Sequence, residues 1–219
     1  RLNNSGAAVL IEEFMDGDMG PSTGGMGAFS PTPVLNTVTL ERAMDQIVRP
    51  TLSILKERGI PYQGVLYAGL MIKDGSPRLV KYNVSFGDPE CQVLMMRLGA
   101  QAFDLIEATA LGTLASKKVK WAEDFAITIV MATKGYPGRF SKGTGIKGLD
   151  VLPETSKSIC FHAGTMLADN NLTAVGGRVL NFTARGNDLK EARKLAYSIA
   201  ERVDWSEGFF REDIGRYIL

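Results

Sequence analysis

Two short segments carry residue types that suit the binding of a nucleotide or another anion. The first is a glycine-rich run: Thr23, Gly24, Gly25, Met26 and Gly27. Glycine lacks a Cβ, so such a run lets backbone N–H groups converge on a phosphate or a carboxylate; a tight surface turn is the alternative. The second is a predicted adenine segment after an apolar run: Glu12, Glu13, Phe14 and Met15. Its backbone groups match the edge of an adenine and its apolar side chains match the face, although an ordinary strand end has the same pattern.

A third set of polar residues lies on a predicted hairpin. Strand-like runs at 63–72 and 78–86 are joined through Asp74-Gly75, a step that favours a tight turn. Strand periodicity predicts one packed face and one polar face. The packed face would hold Val80, Tyr82, Val84 and Phe86, and the polar face Leu79, Lys81, Asn83 and Ser85. The amide oxygen of Asn83 is a ligand type that Mg²⁺ accepts, but a magnesium site ordinarily also needs a carboxylate.

Asp88 follows this hairpin and has two interpretations. Its carboxylate suits an amine or a metal, and it also suits the N-cap of a helix that begins at Pro89. In the second case the exposed amides of that helix would lie beside the polar face. His162 lies in a strand-like segment, where a single histidine is more often structural, so we assign it no catalytic role.

Length and composition exclude several classes of protein. The chain has 219 residues with 45% apolar side chains, which is enough to bury a core, and a formal charge of +1. That charge does not favour a nucleic-acid or anionic-membrane partner. Apolar stretches fall short of the roughly 20 residues that span a bilayer, and the first residues do not resemble a signal peptide. Cys91 and Cys160 lie far apart and lack metal-ligand spacing, so they indicate neither a zinc site nor a disulfide scaffold. The absence of a disulfide pattern fits a reducing cytoplasm.

The hydrophobic pattern predicts the elements that position these residues. A buried strand at 8–11 leads into a structured loop or linker from Asp18 to Pro33. A helix follows, capped by Thr39 and kinked or divided by Pro50. Further helices are predicted at 91–98 and 103–114, strands at 126–131, 159–162 and 177–183, and a last helix with Asp188 and Glu191 as its capping box. The change to strands places a domain boundary near residue 122.

Several motifs taken together resemble the glycinamide ribonucleotide synthetase (phosphoribosylamine–glycine ligase) family. They are VLIEEFMDG at 9–17, GPSTGGMGAFSP at 20–31, GVLYAGLM at 64–71, FGDPE at 86–90, FHAGT at 161–165, GGRVL at 176–180 and DIG at 213–215. The match runs in order through almost the whole chain. It implies an α/β (α+β) fold of the ATP-grasp type. Residues 1–121 would form the C-terminal portion of the ATP-grasp module, and residues 122–219 a smaller mixed C-terminal domain.

The resemblance implies a reaction in purine biosynthesis. ATP phosphorylates the carboxylate of glycine, and the amine of 5-phosphoribosylamine then attacks the glycyl phosphate, giving the amide, ADP and phosphate. The cofactors would be ATP and Mg²⁺ or Mn²⁺. The resemblance further implies a cytoplasmic monomer with no nucleic-acid or membrane partner.

The resemblance also assigns roles to residues of this chain. Glu12 to Met15 would hold the adenine, with Leu70 and Met71 packed near the nucleotide. Asn83 would bind the metal, and Asp88 would be catalytic. The substrate pocket for glycine and phosphoribosylamine would be formed by Thr23, Gly24, Gly25, Met26, Gly27, Asp88, Gly177 and Arg178.

The chain departs from the family pattern on the polar strand. Lys81 stands where the family has a metal-ligating glutamate, and Ser85 stands where it has an arginine. An ammonium beside Mg²⁺ repels it. These departures favour an alternative function, a catalytically impaired homologue that binds nucleotide or a partner without ligating. Another ATP-grasp ligase or a carboxylase is a weaker alternative, because the glycine-rich run together with FGDPE points elsewhere.

The family comparison also concerns length. Family members carry further residues ahead of the counterpart of Arg1 and between the counterparts of Gly17 and Asp18. We therefore expect the natural protein to be longer at both places, although Gly17-Asp18 could also form a tight turn.

Overall fold

The computed structural model describes residues 7–150, 152 and 155–216. The predicted strands and helices occur in the predicted order, together with several strands that the sequence analysis did not predict. In chain order the elements are β1 (Val9–Met15), β2 (Met19–Ser30), α1 (Thr37–Ala43), a π-helical segment (Met44–Val48), α2 (Arg49–Glu57), β3 (Tyr67–Lys73), β4 (Ser76–Asn83), α3 (Glu90–Leu98), α4 (Gln101–Ala110), a 3₁₀ turn (Leu114–Ser116), β5 (Phe125–Thr133), β6 (Thr144–Gly145), β7 (Ser158–His162), β8 (Thr165–Ala168), β9 (Asn171–Ala174), β10 (Arg178–Gly186), α5 (Leu189–Ala200) and β11 (Gly208–Phe209). No helix within these described ranges has the length and apolar character needed to cross a membrane.

The described residues form two compact units, and neither is continuous in sequence. Unit 1 holds residue 7 with 31–87 and 98–122, and unit 2 holds 8–30, 88–97 and 123–216. Unit 2 therefore takes β1, β2 and most of α3 from the predicted first domain. The division at residues 1–121 and 122–219 is a different partition of the chain and stays a prediction.

Unit 2 is built on an antiparallel sheet with the strand order β1-β2-β5-β10-β7, and β11 pairs with β5. β5 is apolar on both faces, as expected for a central strand that is covered on both sides. One face packs against α5, whose buried residues include Ala192, Ala196 and Ile199. On the other face, Val93 of α3 packs with Ala28 and Ala126.

The predicted start of the last helix is confirmed. The Asp188 carboxylate accepts a hydrogen bond from Glu191 N–H at 2.7 Å. Glu191 in turn accepts one from Asn187 N–H at 2.9 Å. These bonds satisfy amides that the first turn of a helix leaves without partners.

The prediction of a loop or linker from Asp18 to Pro33 is wrong over most of its length, because residues 19–30 form β2. This strand pairs with β1 on one side and with β5 on the other. Its glycines serve close packing between layers. A Cβ on Gly27 would lie 2.7 Å from Ile214 Cγ2 and 2.9 Å from the Thr128 carbonyl oxygen. Pairing with two neighbours therefore outweighs the low strand propensity of this composition.

The turn between β1 and β2 is fixed by Arg211, whose side chain is 1% exposed. Its guanidinium donates to Asp18, to Asp213 and to the Glu13 carbonyl oxygen at 2.8 to 2.9 Å. Gly17 N–H also donates to Asp213, at 2.7 Å. Gly17 and Asp18 both have positive φ. In this structure the two residues thus form the tight turn that the sequence left open as an alternative.

The electrostatics of this turn depend on Asp213. Burial alone would raise the pKa of Asp213, but the hydrogen bonds from Arg211 and from Gly17 outweigh it and lower the pKa from 3.8 to about 2. Burial would likewise lower the pKa of Arg211, yet its bonds to Asp213 and Asp18 raise it. Both groups are therefore held in their charged forms.

Unit 1 contains the predicted hairpin, with Asp74 and Gly75 at positive φ in its turn. Two details of unit 1 differ from prediction. The helix cap is Asn36 rather than Thr39, since the Asn36 side chain accepts from Thr39 N–H at 2.9 Å. The face predicted to pack is covered only in part, because Tyr82 and Phe86 are half-buried whereas Val80 and Val84 are 64% and 76% exposed.

The predicted division of the long helix is confirmed. α1 passes into the π-helical segment, and α2 then begins with Pro50 in its first turn. Proline lacks the N–H that a continuous helix would need at this position, so the helical hydrogen-bond pattern changes here.

The Arg211–Asp213 pair yields a prediction of pH-dependent stability. Because the folded pKa of Asp213 lies below 3.8, its stabilisation is present above about pH 4 and is lost as the pH falls towards 2. We expect Asp213→Asn to lower the free energy of unfolding by about 2 kcal/mol at pH 7 and by much less near pH 2.5. Urea unfolding at both pH values measures this. Asp204→Asn, at an exposed position, should change stability by less than about 0.5 kcal/mol; an equal loss for Asp213→Asn at both pH values would contradict the account.

Candidate functional site

Arg178, the first residue of β10, joins two segments that the sequence predicts for the substrate pocket. Its Nη1 donates to the carbonyl oxygens of Gly24 and Asp88 at 2.9 and 2.7 Å, and more weakly to that of Gly25 at 3.3 Å. Its Nη2 donates to the Asp88 carboxylate at 3.0 Å. A guanidinium suits this position because its planar fork presents several donors at once. Arg178 thereby holds the glycine-rich run beside Asp88.

Asp88 keeps part of its carboxylate open to solvent. Its side chain is 60% exposed, while that of Arg178 is 19% exposed. Only Oδ2 has a hydrogen-bond partner among the described residues. The helix that follows begins at Glu90 rather than at Pro89. Asp88 is therefore a fixed anion with one oxygen available to an amine.

The backbone amides of the glycine-rich run do not converge on an open space. Gly24 N–H donates to Tyr136 Oη at 3.0 Å, and Gly25 N–H donates to Thr23 Oγ1 at 2.9 Å. Thr23 Oγ1 itself donates to the Glu12 carbonyl oxygen at 2.6 Å. The interpretation of this run as a cradle of free amides is thus wrong for Gly24 and Gly25, and so is the alternative of a surface turn. Gly24 and Gly25 lie where the pairing of β2 with β1 is irregular, and Gly25 has positive φ, so their N–H groups bond to side chains rather than to a neighbouring strand.

Close packing accounts for the residue types of the run. A Cβ on Gly24 would lie 2.9 Å from the Arg178 guanidinium, and one on Gly25 would lie 2.6 Å from the Pro89 ring. Met26 is fully buried and belongs to the core of unit 2. Of the run, Gly24 is exposed and Thr23 is half-buried. The role of these residues in substrate binding stays a prediction.

The predicted adenine segment lies on β1, an edge strand of the described sheet. The Phe14 ring packs against Phe209 with centroids 4.8 Å apart and against Tyr136 with centroids 6.3 Å apart. An edge strand presents backbone groups along its outer side, as adenine recognition requires. A cavity of about 200 Å³ on the same strand has mostly apolar lining and includes only Glu13 of the predicted segment. It is smaller than a nucleotide site and does not coincide with the prediction.

The residues predicted to approach the nucleotide and the metal belong to unit 1. Leu70 and Met71 lie on β3, and Lys81 and Asn83 lie on β4. The register pairs Gly69 with Lys81 and Tyr67 with Asn83, so Lys81 and Asn83 share a face. The bulge at Val80 interrupts the alternation before them, so the predicted continuity of that face to Leu79 is not kept.

The donor set on this face does not fit a magnesium ion. Asn83 supplies one amide oxygen, while Lys81 places an ammonium on the same face. Magnesium sites ordinarily need a carboxylate as well. Across the described part of the chain, no cluster of three or more His, Cys, Asp or Glu side chains is arranged to hold a metal.

Tyr136 is a site residue that the sequence analysis missed. It lies in the turn after β5, and its ring lies so close to Gly177 that a Cβ on Gly177 would overlap it. Gly177, which the resemblance assigns to the substrate pocket, therefore leaves room for this ring, because a side chain at this position would overlap it. The available signal was the motif Gly135-Tyr136-Pro137-Gly138, a turn composition that holds an aromatic residue. His162, by contrast, bonds locally to Thr165 at 3.0 Å.

Comparison with known proteins decides the family. Residues 6–91 match "Phosphoribosylglycinamide synthetase, ATP-grasp (A) domain", and residues 126–217 match "Phosphoribosylglycinamide synthetase, C domain". The chain belongs to the phosphoribosylglycinamide synthetase family. The predicted ATP-grasp fold is confirmed with it. A crystal structure of phosphoribosylamine–glycine ligase from Thermotoga maritima superposes with a TM-score of 0.84 at 34% identity, covering 94% of this chain and 50% of that one.

The curated relatives are about twice as long as this chain. Phosphoribosylamine–glycine ligase of Agrobacterium fabrum is 51% identical over 200 residues, which cover 91% of this chain and 47% of the relative. That of Mesorhizobium japonicum is 50% identical over 240 residues, covering 96% of this chain and 56% of the relative. The second match is longer than the 219-residue chain itself, so that relative carries residues within the matched stretch that this chain lacks. This agrees with the expected additional internal segment.

The Arg178 contacts yield a prediction that hydrogen exchange can check. Arg178→Met removes the donors that hold the carbonyl oxygens of Gly24, Gly25 and Asp88. We expect faster amide exchange in a peptide covering 20–31 and a loss of about 1–2 kcal/mol of stability. Arg185→Met is a matched control at the other end of β10, where Arg185 forms a bidentate pair with Asp124. Equal exchange of that peptide in the two variants would contradict the assignment.

Proposed function

We propose that the protein is an ATP-dependent ligase that joins glycine to 5-phosphoribosylamine in purine biosynthesis. The products are glycinamide ribonucleotide, ADP and phosphate. Family membership over both matched regions supports this proposal, as do relatives named phosphoribosylamine–glycine ligase. The observation that carries it is the Arg178 contact, which holds an exposed part of the glycine-rich run beside the open carboxylate of Asp88.

The reaction has two steps, and each makes demands on the protein. The glycine carboxylate oxygen takes the γ-phosphoryl group and ADP leaves; the phosphoribosylamine nitrogen then attacks the acyl carbon, phosphate leaves, and the nitrogen loses a proton. Such chemistry depends on positioning and on charge stabilisation more than on covalent work by side chains. The fixed carboxylate of Asp88 binds and orients an amine. β1 binds the adenine along its outer edge.

A divalent metal bound with the ATP would neutralise phosphate charge during transfer. The Lys81 and Asn83 pair does not supply a fitting donor set for it, so no step here passes through a metal. This misfit supports a second candidate function, a homologue that binds nucleotide or a partner without ligating. Ser85, exposed just after β4, adds to that support because it is uncharged.

The setting that we propose is a cytoplasmic monomer that acts on small molecules. The balanced charge of +1 gives no broad electropositive surface for nucleic acid or an anionic membrane. Glycine and 5-phosphoribosylamine are the proposed substrates, and neither a nucleic acid nor a membrane is a proposed partner.

Release of ADP tests the two candidate functions against each other. If the protein is the ligase, we expect ADP to be released from ATP only when glycine and 5-phosphoribosylamine are both present with Mg²⁺ or Mn²⁺. Saturable binding of ATP without ADP release, under the same conditions, would overturn the proposed ligase function. It would support the second candidate function, a homologue that binds nucleotide without ligating. The Asp88→Asn variant is the matched control, because it keeps the side-chain shape and removes the charge that receives the amine.

The metal misfit yields a prediction that a double variant sharpens. Lys81→Glu exchanges an ammonium for a carboxylate on the face of Asn83, so we expect the affinity for Mg²⁺ to rise by at least about 10-fold. Lys81→Glu with Asn83→Ala should lose most of that gain, because one oxygen ligand is removed again. Calorimetric titration with Mg²⁺ in the presence of ADP measures both. Equal affinity of Lys81→Glu and the unchanged chain would show that Lys81 does not face the metal.

A further inference from the structure

The Tyr136 hydroxyl is a polar group that the structure fixes but uses only in part. It accepts a hydrogen bond from Gly24 N–H at 3.0 Å, and within the described ranges its own hydrogen has no acceptor. A phenol can accept and donate at the same time. The hydroxyl hydrogen of Tyr136, beside the exposed residue Gly24, is therefore left to donate to a ligand.

The phenol is held rigidly enough to serve as such a donor. Its ring lies against the Cα of Gly177 and meets Phe14 and Phe140 edge to face, with centroids 6.3 and 6.4 Å away. These contacts fix the ring plane and the position of the oxygen. Acceptance of the Gly24 N–H also polarises the hydroxyl, which strengthens it as a donor to a negative oxygen.

The second feature is that Gly24 is held from both sides. Tyr136 binds its N–H, and Arg178 binds its carbonyl oxygen at 2.9 Å. Arg178 also holds Asp88, whose Oδ1 is open. The phenol is thus bonded to Gly24 directly, and the Asp88 carboxylate is linked to Gly24 through Arg178. A neutral donor and an anion anchored to one exposed residue are the two groups that a small zwitterion requires, because its carboxylate and its ammonium each need a partner.

We propose that Tyr136 is a substrate-binding residue whose phenolic O–H donates to the carboxylate of glycine while Asp88 receives the amine. This inference rests on the proposed function and adds to it a residue outside the predicted pocket. The donor to the glycine carboxylate is then the Tyr136 phenol. The backbone N–H groups of Gly24 and Gly25 are not available for this role, because both already have hydrogen-bond partners. No covalent step is assigned to Tyr136.

Titration calorimetry of the full chain with two ligands tests the proposal. Glycine carries both charged groups, whereas methylamine carries only the amine. A hydrogen bond to a charged group corresponds to about a 10- to 100-fold change in affinity. We therefore expect Tyr136→Phe to lower the affinity for glycine by that factor. Binding of methylamine should stay within about two-fold of the unchanged chain, since the phenol does not contact an amine-only ligand.

Tyr197→Phe is the matched control. The Tyr197 hydroxyl donates to the Arg211 carbonyl oxygen at 2.7 Å and accepts from Ile214 N–H at 3.0 Å, so both of its roles are internal. This variant should bind both ligands as the unchanged chain does. Circular dichroism melting of all three proteins confirms that each is folded at the titration temperature.

Three results would overturn the proposal, and they are distinguishable. Unchanged glycine affinity in Tyr136→Phe contradicts the role of the phenol and leaves the proposed function standing. Equal weakening of glycine and methylamine shows that Tyr136 only positions Gly24. An unchanged chain that binds no glycine contradicts the proposed function together with this inference.

Discussion

The candidate site depends on the hydrogen bonds that the guanidinium of Arg178 donates. Arg178 lies at the start of β10, a strand fixed by pairing with β5 and β7. From there it bonds to main-chain oxygens of the glycine-rich run and to both main chain and side chain of Asp88. Arg178 and these partners come from three distant parts of the chain. The same guanidinium therefore binds the carbonyl oxygens of Gly24 and Asp88 and fixes the Asp88 carboxylate beside them. Without it, these groups would lose their shared donor.

The site combines the start of β10 and the glycine-rich part of β2 with two turn residues, Tyr136 and Asp88, which hydrogen bonds within unit 2 hold in place. Gly24 lies where the pairing of β2 with β1 is irregular and outside the Gly27–Ser30 stretch that pairs with β5, so Tyr136 and Arg178 bind its two polar groups instead. Thr23 satisfies Gly25 N–H in the same manner. Among the described residues of this site, the hydroxyl hydrogen of Tyr136 and Oδ1 of Asp88 have no hydrogen-bond partner and are available to a ligand.

Much of this arrangement was predictable from the sequence, and the remainder has a physical reason. Periodic segments such as β5, β10 and α5 were predicted because their apolar residues repeat at strand or helix spacing. β2 was not, since glycine and serine have low strand propensity and only pairing with two neighbours makes them extended. Arg178 and Asp88 were both named, but their contact spans 90 residues of chain and local pattern does not encode it. Tyr136 was missed for the same reason, because its bond to Gly24 spans 112 residues.

The short β1–β2 turn and Lys81 on β4 are the two places where the structure meets the departures from the family pattern noted in the sequence. Arg211 closes the turn where the family resemblance implies a further segment. Lys81 stands where that resemblance implies a metal-ligating glutamate. The chain spans about half the length of the curated relatives it matches. The residues proposed to bind the substrate, Tyr136, Gly24 and Asp88, are linked by hydrogen bonds directly and through Arg178, whereas Lys81 and Asn83 lack the usual donor set for a metal.

A crystal structure of the chain with bound glycine would test the central claim most directly. The account predicts that the glycine carboxylate lies within hydrogen-bond distance of Tyr136 Oη and its ammonium within hydrogen-bond distance of the Asp88 carboxylate. The Gly24 N–H would remain bonded to Tyr136. Glycine bound instead to freed amides of Gly24 and Gly25, with Tyr136 displaced, would contradict it, and so would glycine bound away from Asp88.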